Sequence, residues 1–470
     1  MKGSKVLTVP PGLAKREDLD LPARIARSAA ATEGALGHRT RTEEVVDWIA
    51  ERARAAEFSV ERIPFAELDG WWFEADTGNL VHRSGRFFTV EGLRVTTGGV
   101  SVPEWYQPII RQHEVGILGI LAKEFDGVLH FLMQAKMEPG NPNMVQLSPT
   151  VQATRSNYTK AHRGADVKYI EYFEDPNRYG RVLADVLQSE HGSWFLRKRN
   201  RNMIVEVFGD VPVLQDFRWL TLGQLGELLN LDNVVNMDSR TVLACVPVGQ
   251  DGTFAMHSDT DLMSWFTAER SRHEVSAEPV PLSSVPGWVR RESSIEHEDG
   301  RHFRVVAVSV QAQNREVSDW TQPLFEPCGQ GIIAFLTRRI GSVPHVLVHA
   351  RVEGGFLDTV ELGPTVQYMP ANYSHLPTDE RPPFADLALS ADPAHIRYEA
   401  VLSEEGGRFR NTESRYMVIE IDEDQVPLSP PSGYRWVTPS QLGSLVRHAH
   451  YVNVQARTLL ACFNTRAIRW

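Results

Sequence analysis

Residues 105–158 read WYQPIIRQHEVGILGILAKEFDGVLHFLMQAKMEPGNPNMVQLSPTVQATRSNY, and residues 320–373 read WTQPLFEPCGQGIIAFLTRRIGSVPHVLVHARVEGGFLDTVELGPTVQYMPANY. Laid on each other at a constant offset, they correspond without a gap. Trp105, Gln107 and Pro108 fall on Trp320, Gln322 and Pro323. Pro149-Thr150-Val151-Gln152 falls on Pro364-Thr365-Val366-Gln367, and Asn157-Tyr158 on Asn372-Tyr373. The likeness resumes at slightly different offsets: Met203 to Val207 meets Met417 to Ile421, and Arg218-Trp219 meets Arg435-Trp436. Asn236, Arg240, Thr241, Leu243, Ala244 and Cys245 meet Asn453, Arg457, Thr458, Leu460, Ala461 and Cys462. A unit this long is a whole domain, since solenoid periods run at roughly 20 to 50 residues. The chain is two copies of one fold, and the differences between the copies are evidence.

A chain of 470 residues is too long for one core and comfortable for two or three domains. Its 42% hydrophobic and 23% charged content is that of an ordinary soluble globular protein. No apolar run approaches the roughly 18 to 20 residues of a membrane span, and Met1 to Arg16 has no apolar leader core, so the expected location is the cytoplasm, away from the membrane. Of three cysteines, Cys245 and Cys462 occupy matching places in apolar helical text and Cys328 stands alone, which suggests reduced thiols and no zinc site. A net charge of -11 without a basic stripe argues against a nucleic-acid partner.

The sequence divides into an N-terminal helical extension over 1–65, a first repeat over 66–247, a connector over 248–287 and a second repeat over 288–470. In the extension, Val45, Val46, Ile49 and Ala53 recur on one helical face from Thr42 to Ala56. Inside a repeat, Ile117 to Lys123 and Val128 to Lys136 flank Asp126-Gly127, a hairpin signal. Strands follow at Val145 to Gln152 and Met203 to Phe208, and helices are expected at Gly180 to Glu190, Leu222 to Asn230 and Ser239 to Val246. This mixed order predicts an α+β module of α/β/α-like layering. Neither G-x-G-x-x-G nor G-x-x-x-x-G-K-[ST] occurs, so nicotinamide and P-loop chemistry have no support.

Alternation places Phe131, Met133, Ala135 and Met137 on one face of a strand and Leu132, Gln134, Lys136 and Glu138 on the other. The next strand sets Val145, Leu147, Val151 and Ala153 against Gln146, Ser148, Thr150, Gln152 and Thr154, with Pro149 marking an edge or bulge. A row of Gln, Ser and Thr with few charges suits a polar ligand such as a sugar or a base, although alternation alone fits a row facing water equally well. Lys136 returns in the second copy as the equally cationic Arg351. By contrast His113 becomes Cys328, Ser148 becomes Gly363, Thr154 becomes Met369 and Arg155 becomes Pro370. The second copy keeps a pocket and loses reactive groups.

The run from Gln134 to Tyr158, QAKMEPGNPNMVQLSPTVQATRSNY, resembles the signature of the NDP-hexose 2,3-dehydratases of deoxysugar biosynthesis, which serve antibiotics and related glycosides, and the resemblance spans nearly the whole chain. It implies a homodimer whose subunit carries two tandem Nudix-like domains. The chemistry would lie in the first, and both would hold a dTDP-type ligand. The implied substrate is dTDP-4-keto-6-deoxy-D-glucose, from which a carbon-oxygen lyase removes water across C2 and C3; the diketo product passes to a separate NAD(P)H-dependent 3-ketoreductase. No cofactor is implied. The metal-collecting box of Nudix hydrolases, G-x5-E-x7-R-E-x2-E-E-x-G, is missing, so no metal site is expected.

The reaction needs a base for the C3 proton, which the C4 ketone acidifies, a cation or donors for the enolate, and an acid for the C2 hydroxyl. Lys136 and Arg155 are the candidate cations, for enolate or diphosphate, and Glu138 and His113 the acid-base candidates. Lys136 can itself be the base if its pocket lowers its pKa. Gln134, Gln146, Ser148, Thr150, Gln152, Asn157 and Tyr158 are candidate substrate-binding residues. Arg351, Thr365, Gln367, Asn372 and Tyr373 form the candidate second nucleotide site. A non-catalytic nucleotide-sugar binding protein and a metal-free nucleoside-diphosphate hydrolase remain as alternatives. The reactive groups unique to the first copy speak against the former, and the missing Nudix box against the latter.

Overall fold

The computed structural model describes residues 18–32, 41–55, 58–98, 103–154, 167–249, 254–312 and 319–468. The chain opens with α1 (Leu21–Ala30), α2 (Thr42–Ala55) and β1 (Phe58–Ile63), followed by β2 (Trp71–Phe73), β3 (Leu80–His82), β4 (Thr89–Gly98) and β5 (Glu104–Arg111). Then come β6 (Gly116–Phe125), β7 (Val128–Met137), β8 (Val145–Ser148), β9 (Val151–Ala153), the short α3 (Glu171–Glu174) and α4 (Pro176–Tyr179), β10 (Gly180–Ser189), β11 (Arg199–Val207), β12 (Phe217–Leu220), α5 (Leu222–Leu228) and α6 (Met237–Leu243). The second half repeats the series. It has α7 (Asp259–Arg272), β13 (Glu274–Val280), β14 (Trp288–Arg290), β15 (Ser294–His297), β16 (Phe303–Ala312) and β17 (Asp319–Pro327). These lead into β18 (Gly331–Ile340), β19 (Val343–Val352), β20 (Val360–Gly363), β21 (Val366–Tyr368), α8 (Ala385–Leu389), β22 (Ile396–Ser403), β23 (Glu413–Glu420), β24 (Tyr434–Val437), α9 (Pro439–Leu445) and α10 (Val454–Asn464).

Each repeat builds a seven-stranded mixed sheet. In the first the order is β10-β11-β6-β7-β12, with β8 added on β7 and β9 on β6. The second matches it strand for strand, with β22-β23-β18-β19 at its centre, β20 and β24 on β19, and β21 on β18. The β6–β7 hairpin closes as its sequence dictates, with Asp126 and Gly127 at φ 49° and 79°, the left-handed pair that a two-residue turn requires. Helix starts repeat too: Thr221 and Thr438 form capping boxes with Gln224 and Gln441, and Asn236 and Asn453 cap α6 and α10.

Two expectations are corrected. The segment from Gly180 to Glu190 is not a helix; it forms β10, antiparallel to β11 with a bulge between Val182 and Ala184. Its apolar spacing fits a helix, but β11 runs parallel to β6 and its other edge offers a ladder, so tertiary pairing overrides local periodicity. The second break is at Pro149. Alternation does not run unbroken from Val145 to Thr154, because β8 pairs with β7 while β9 pairs with β6. Val145 and Leu147 therefore enter one core and Val151 and Ala153 another, on the opposite side of the sheet.

The halves are interlocked. Strand β1, which precedes the first repeat's small sheet, pairs instead with β16 of the second, and β13 pairs with β4 of the first. The stretch read as a connector thus carries a helix and a strand equivalent to α2 and β1. One core runs through both repeats, uniting Val45, Phe131, Met133 and Leu243 with Phe335, Val348 and Leu460. Burial of each such side chain stabilises by about 1.5–3 kcal/mol. Arg240 and Arg457, both buried, cross the seam in mirrored fashion. Arg240 donates to the carbonyls of Val235 and Ser403 and to the Thr458 hydroxyl, and Arg457 to those of Val452 and Ser189 and to the Thr241 hydroxyl. Among the described residues no helix is long and apolar enough to cross a membrane.

Candidate active site

The β7–β8 ladder sets Gln134 opposite Ser148 and Lys136 opposite Gln146, so the polar groups expected on two neighbouring strands do meet. They do not face water, since Gln146, Ser148 and Thr150 are buried. Glu138, 4% exposed, accepts from Gln152 Nε2 at 2.7 Å. The Gln152 Oε1 atom in turn accepts from Ser148 Oγ at 2.8 Å and Asn236 Nδ2 at 3.3 Å. Lys136 Nζ lies 3.8 Å from Glu138 Oε1 and donates to the Gln152 carbonyl at 3.4 Å. The result is a cation and a carboxylate held against a sheet by an amide whose own orientation is fixed from two sides.

Other candidates fall elsewhere. Thr150 accepts from the Leu121 amide and donates to the Leu132 carbonyl, filling the place where β6 and β7 separate; Thr365 does the same between Leu336 and Leu347. Their hydroxyls are engaged by the sheet. Gln146 turns towards the other half, donating to Asn143 Oδ1 at 2.9 Å and Ser403 Oγ at 2.8 Å. His113 is exposed on the loop between β5 and β6, and Gln134 is half-buried. Arg155, Asn157 and Tyr158 lie outside the described residues. In the second repeat, Asn372 caps a turn by accepting from the His302 amide at 2.9 Å, and Tyr373 packs edge-on to Tyr368.

Several groups beside Lys136 went unread in the sequence. Asp238, in the first turn of α6, is 3% exposed, and burial first, then the nearby carboxylates Glu405, Glu190 and Glu138, raise its pKa well above the usual range. Glu190, at the end of β10, accepts from Asn200 Nδ2 at 2.6 Å. Burial, with help from Glu405, pushes it up to about 7 against the pull of Lys198. Burial brings the Lys198 ammonium, which donates to the Glu114 carbonyl, down to about 8. The signal for three of them was within reach, because Lys198, Asn200 and Asp238 become Thr412, Ser414 and Gln455 in the second copy.

The second repeat rebuilds the scaffold with other charges. Glu353 accepts from Gln367 Nε2 at 2.9 Å, and Gln367 from Asn453 at 2.8 Å. Arg351 Nε is bonded to Glu353 at 2.7 Å. Where the first copy has Gln146, the second has Glu361, fully buried, accepting from Ser189 Oγ at 2.6 Å and raised by burial to about 7. His349, in the place of Gln134, stacks on Tyr434 at 4.3 Å.

The duplicated scaffold, with one lysine-bearing site and one arginine-bearing site, defines an α+β protein with two related polar sites of unequal charge. Residues 42–246 and 259–463 each match the family model of the NDP-hexose 2,3-dehydratases, and the chain belongs to that family. It is 62% identical over 457 residues to a dTDP-4-dehydro-6-deoxy-alpha-D-glucopyranose 2,3-dehydratase of Amycolatopsis orientalis, covering 96% of each chain. Relatives of the same name from Saccharopolyspora spinosa and Streptomyces violaceoruber are 54% and 49% identical, over 90% and 89% of this chain and 91% and 96% of theirs.

Proposed function

We propose that the protein removes water across C2 and C3 of dTDP-4-keto-6-deoxy-D-glucose, giving a 2,6-dideoxy-3,4-diketo sugar nucleotide, and so acts as a carbon-oxygen lyase of deoxysugar biosynthesis. The observation that carries this reading is the half-buried Lys136 beside the buried Glu138, both held by Gln152, in a chain so similar to 2,3-dehydratases of that name. Lys136 stabilises the C4 enolate or takes the C3 proton, and Glu138, 3.8 Å from it, is the acid-base partner. Arg155 is assigned to the diphosphate or the enolate and His113 to acid-base work from sequence.

Each repeat is read as Nudix-like, with the active centre in the first and a second nucleotide site around Arg351 and Gln367. A cytoplasmic homodimer passing its diketone to an NAD(P)H-dependent 3-ketoreductase completes the assignment. Incubation of the protein with the 4-keto sugar nucleotide, followed by mass spectrometry, should show loss of one water. An unchanged mass would leave a binding protein, and cleavage to a dTDP fragment a hydrolase. Calorimetric titration with dTDP should count two sites per chain in wild type and one in Arg351→Ala.

A further inference from the structure

By sequence, the loop from Glu404 to Thr412 belongs to the second repeat, yet it docks on the first repeat's site. The Gly140 amide donates to the Gly406 carbonyl at 2.7 Å, and the Asn411 amide to the Gly140 carbonyl at 2.8 Å. The backbones are so close that a Cβ on Gly140 would fall 1.7 Å from the Phe409 carbonyl oxygen. The partially exposed Glu405 is thereby carried to Glu138: the point where a Cβ on Gly407 would sit is 2.8 Å from Glu405 Oε1 and 3.7 Å from Glu138 Oε1.

Glu138, Glu190 and Asp238 are each at least 95% buried, and each keeps one carboxyl oxygen without a hydrogen bond among the described residues. Buried acceptors left unpaired are costly, which marks this cluster as one that a donor from a ligand would complete. The charged groups around Glu405 are Lys136 on β7 and Glu138 just after it, Glu190 just after β10, Lys198 on the following loop, Asp238 on α6, and Arg408 on its own loop.

We propose that Glu405, delivered from the second repeat, is the acid that protonates the departing C2 hydroxyl in the first repeat's site. The inference rests on the 2,3-dehydration reading. The base on β7 takes the C3 proton, the electron pair forms the C2–C3 double bond, and the C2–O bond breaks as Glu405 gives its proton to the leaving oxygen. The enol then takes the base's proton at C2 and returns its hydroxyl proton to Glu405, so that both groups are restored and only water is released. Desolvation raises the carboxyl of Glu405, as it does that of Glu190, which favours the protonated form that an acid needs.

The test is Glu405→Gln, which keeps the shape and removes the acid. Water loss should fall by roughly a hundredfold to ten-thousandfold. Deuterium from heavy water should still enter C3 at no less than about a third of wild-type turnover, because enolisation does not need this group. Turnover within threefold of wild type would overturn the proposal. So would joint loss of exchange and dehydration in protein that melts like wild type and binds dTDP. Should the variant not fold, the wild-type pH profile decides: kcat must fall as rising pH ionises the acid above the ordinary glutamate range, and a level kcat from about pH 5 to 9 would refute the assignment. Failure of the dehydration reading is seen separately, in wild-type protein that forms no product.

Discussion

In the first repeat the strand-borne cation is Lys136, 3.8 Å from Glu138; in the second it is Arg351, bonded to Glu353 at 2.7 Å. Each carboxylate rests on a matching glutamine and asparagine, Gln152 and Asn236 in the first repeat and Gln367 and Asn453 in the second. Around the first lie Asp238, Lys198, Glu190 and the visiting Glu405. Around the second lie Gln455, Thr412, Glu404 and the visiting His191, which is bonded to Glu404 at 3.0 Å. A lysine in loose contact with its neighbour can shed or accept a proton when its surroundings favour it, whereas a guanidinium cannot be deprotonated and suits fixed recognition of an anion. Duplication kept the scaffold, and the charges placed on it separate a centre equipped for proton transfer from one equipped for holding a ligand.

The comparison would be broken most completely by separating the halves. Cleavage of the chain between residues 249 and 254 takes β13 from the first small sheet and β1 from the second, and opens the shared core. Either half alone should fail to melt cooperatively by circular dichroism, and mixing should restore the transition. A sharp transition in an isolated half would show that the interlocking is dispensable.

Next in size is the unequal weight of the two cations. Lys136→Ala should lower turnover by roughly a hundredfold to a thousandfold, as expected for loss of a group that stabilises developing charge. Arg351→Ala should keep turnover within about tenfold of wild type while weakening dTDP at one of two sites. Equal damage from both substitutions, in equally folded proteins, would mean that the second site takes part in the chemistry.

A smaller effect distinguishes Glu361 from its counterpart Gln146. Burial pushes the Glu361 carboxyl up to about 7, so the folded chain holds a proton there that an ordinary glutamate, at 4.5, releases. The stability this group provides is present below about pH 4.5 and is lost as pH rises towards 7. Glu361→Gln does not titrate, and its Tm should gain on wild type between pH 5 and 8, by a stability on the order of 1–3 kcal/mol. Parallel Tm curves would exclude the shifted ionisation. Least of all should EDTA change the rate: with the Nudix box missing from the sequence, turnover is expected to stay within about twofold after chelation, and restoration of lost activity by magnesium would contradict that.

Much of this was legible in residues. The Asp126-Gly127 turn and the polar groups on two neighbouring strands follow from local rules, and the duplication supports the polar strands a second time through Thr365 and Gln367. The error at Gly180 to Glu190 was correctable in the same way. Its counterpart Ile396–Ser403 alternates buried and exposed residues as a strand should, while the first copy's own spacing mimics a helix. The continuous polar row failed at Pro149 because a proline there let the chain pass from one neighbouring strand to another, reversing which side its apolar residues enter.

The sequence by itself determined that there are two copies, which strands carry the polar groups, and which copy lost its histidine and arginine, because these depend on residue type and short spacing. Only the tertiary structure decided that β1 and β13 exchange partners, that Thr150 belongs to the sheet, and that Glu405 stands beside Glu138. Those facts depend on pairings that local spacing does not encode, reaching more than two hundred positions for β1 with β16 and for Gly140 with Gly406 and Asn411. Such contacts are selected by burial and backbone hydrogen bonding summed over the whole fold, and no local pattern records which distant loop will supply them.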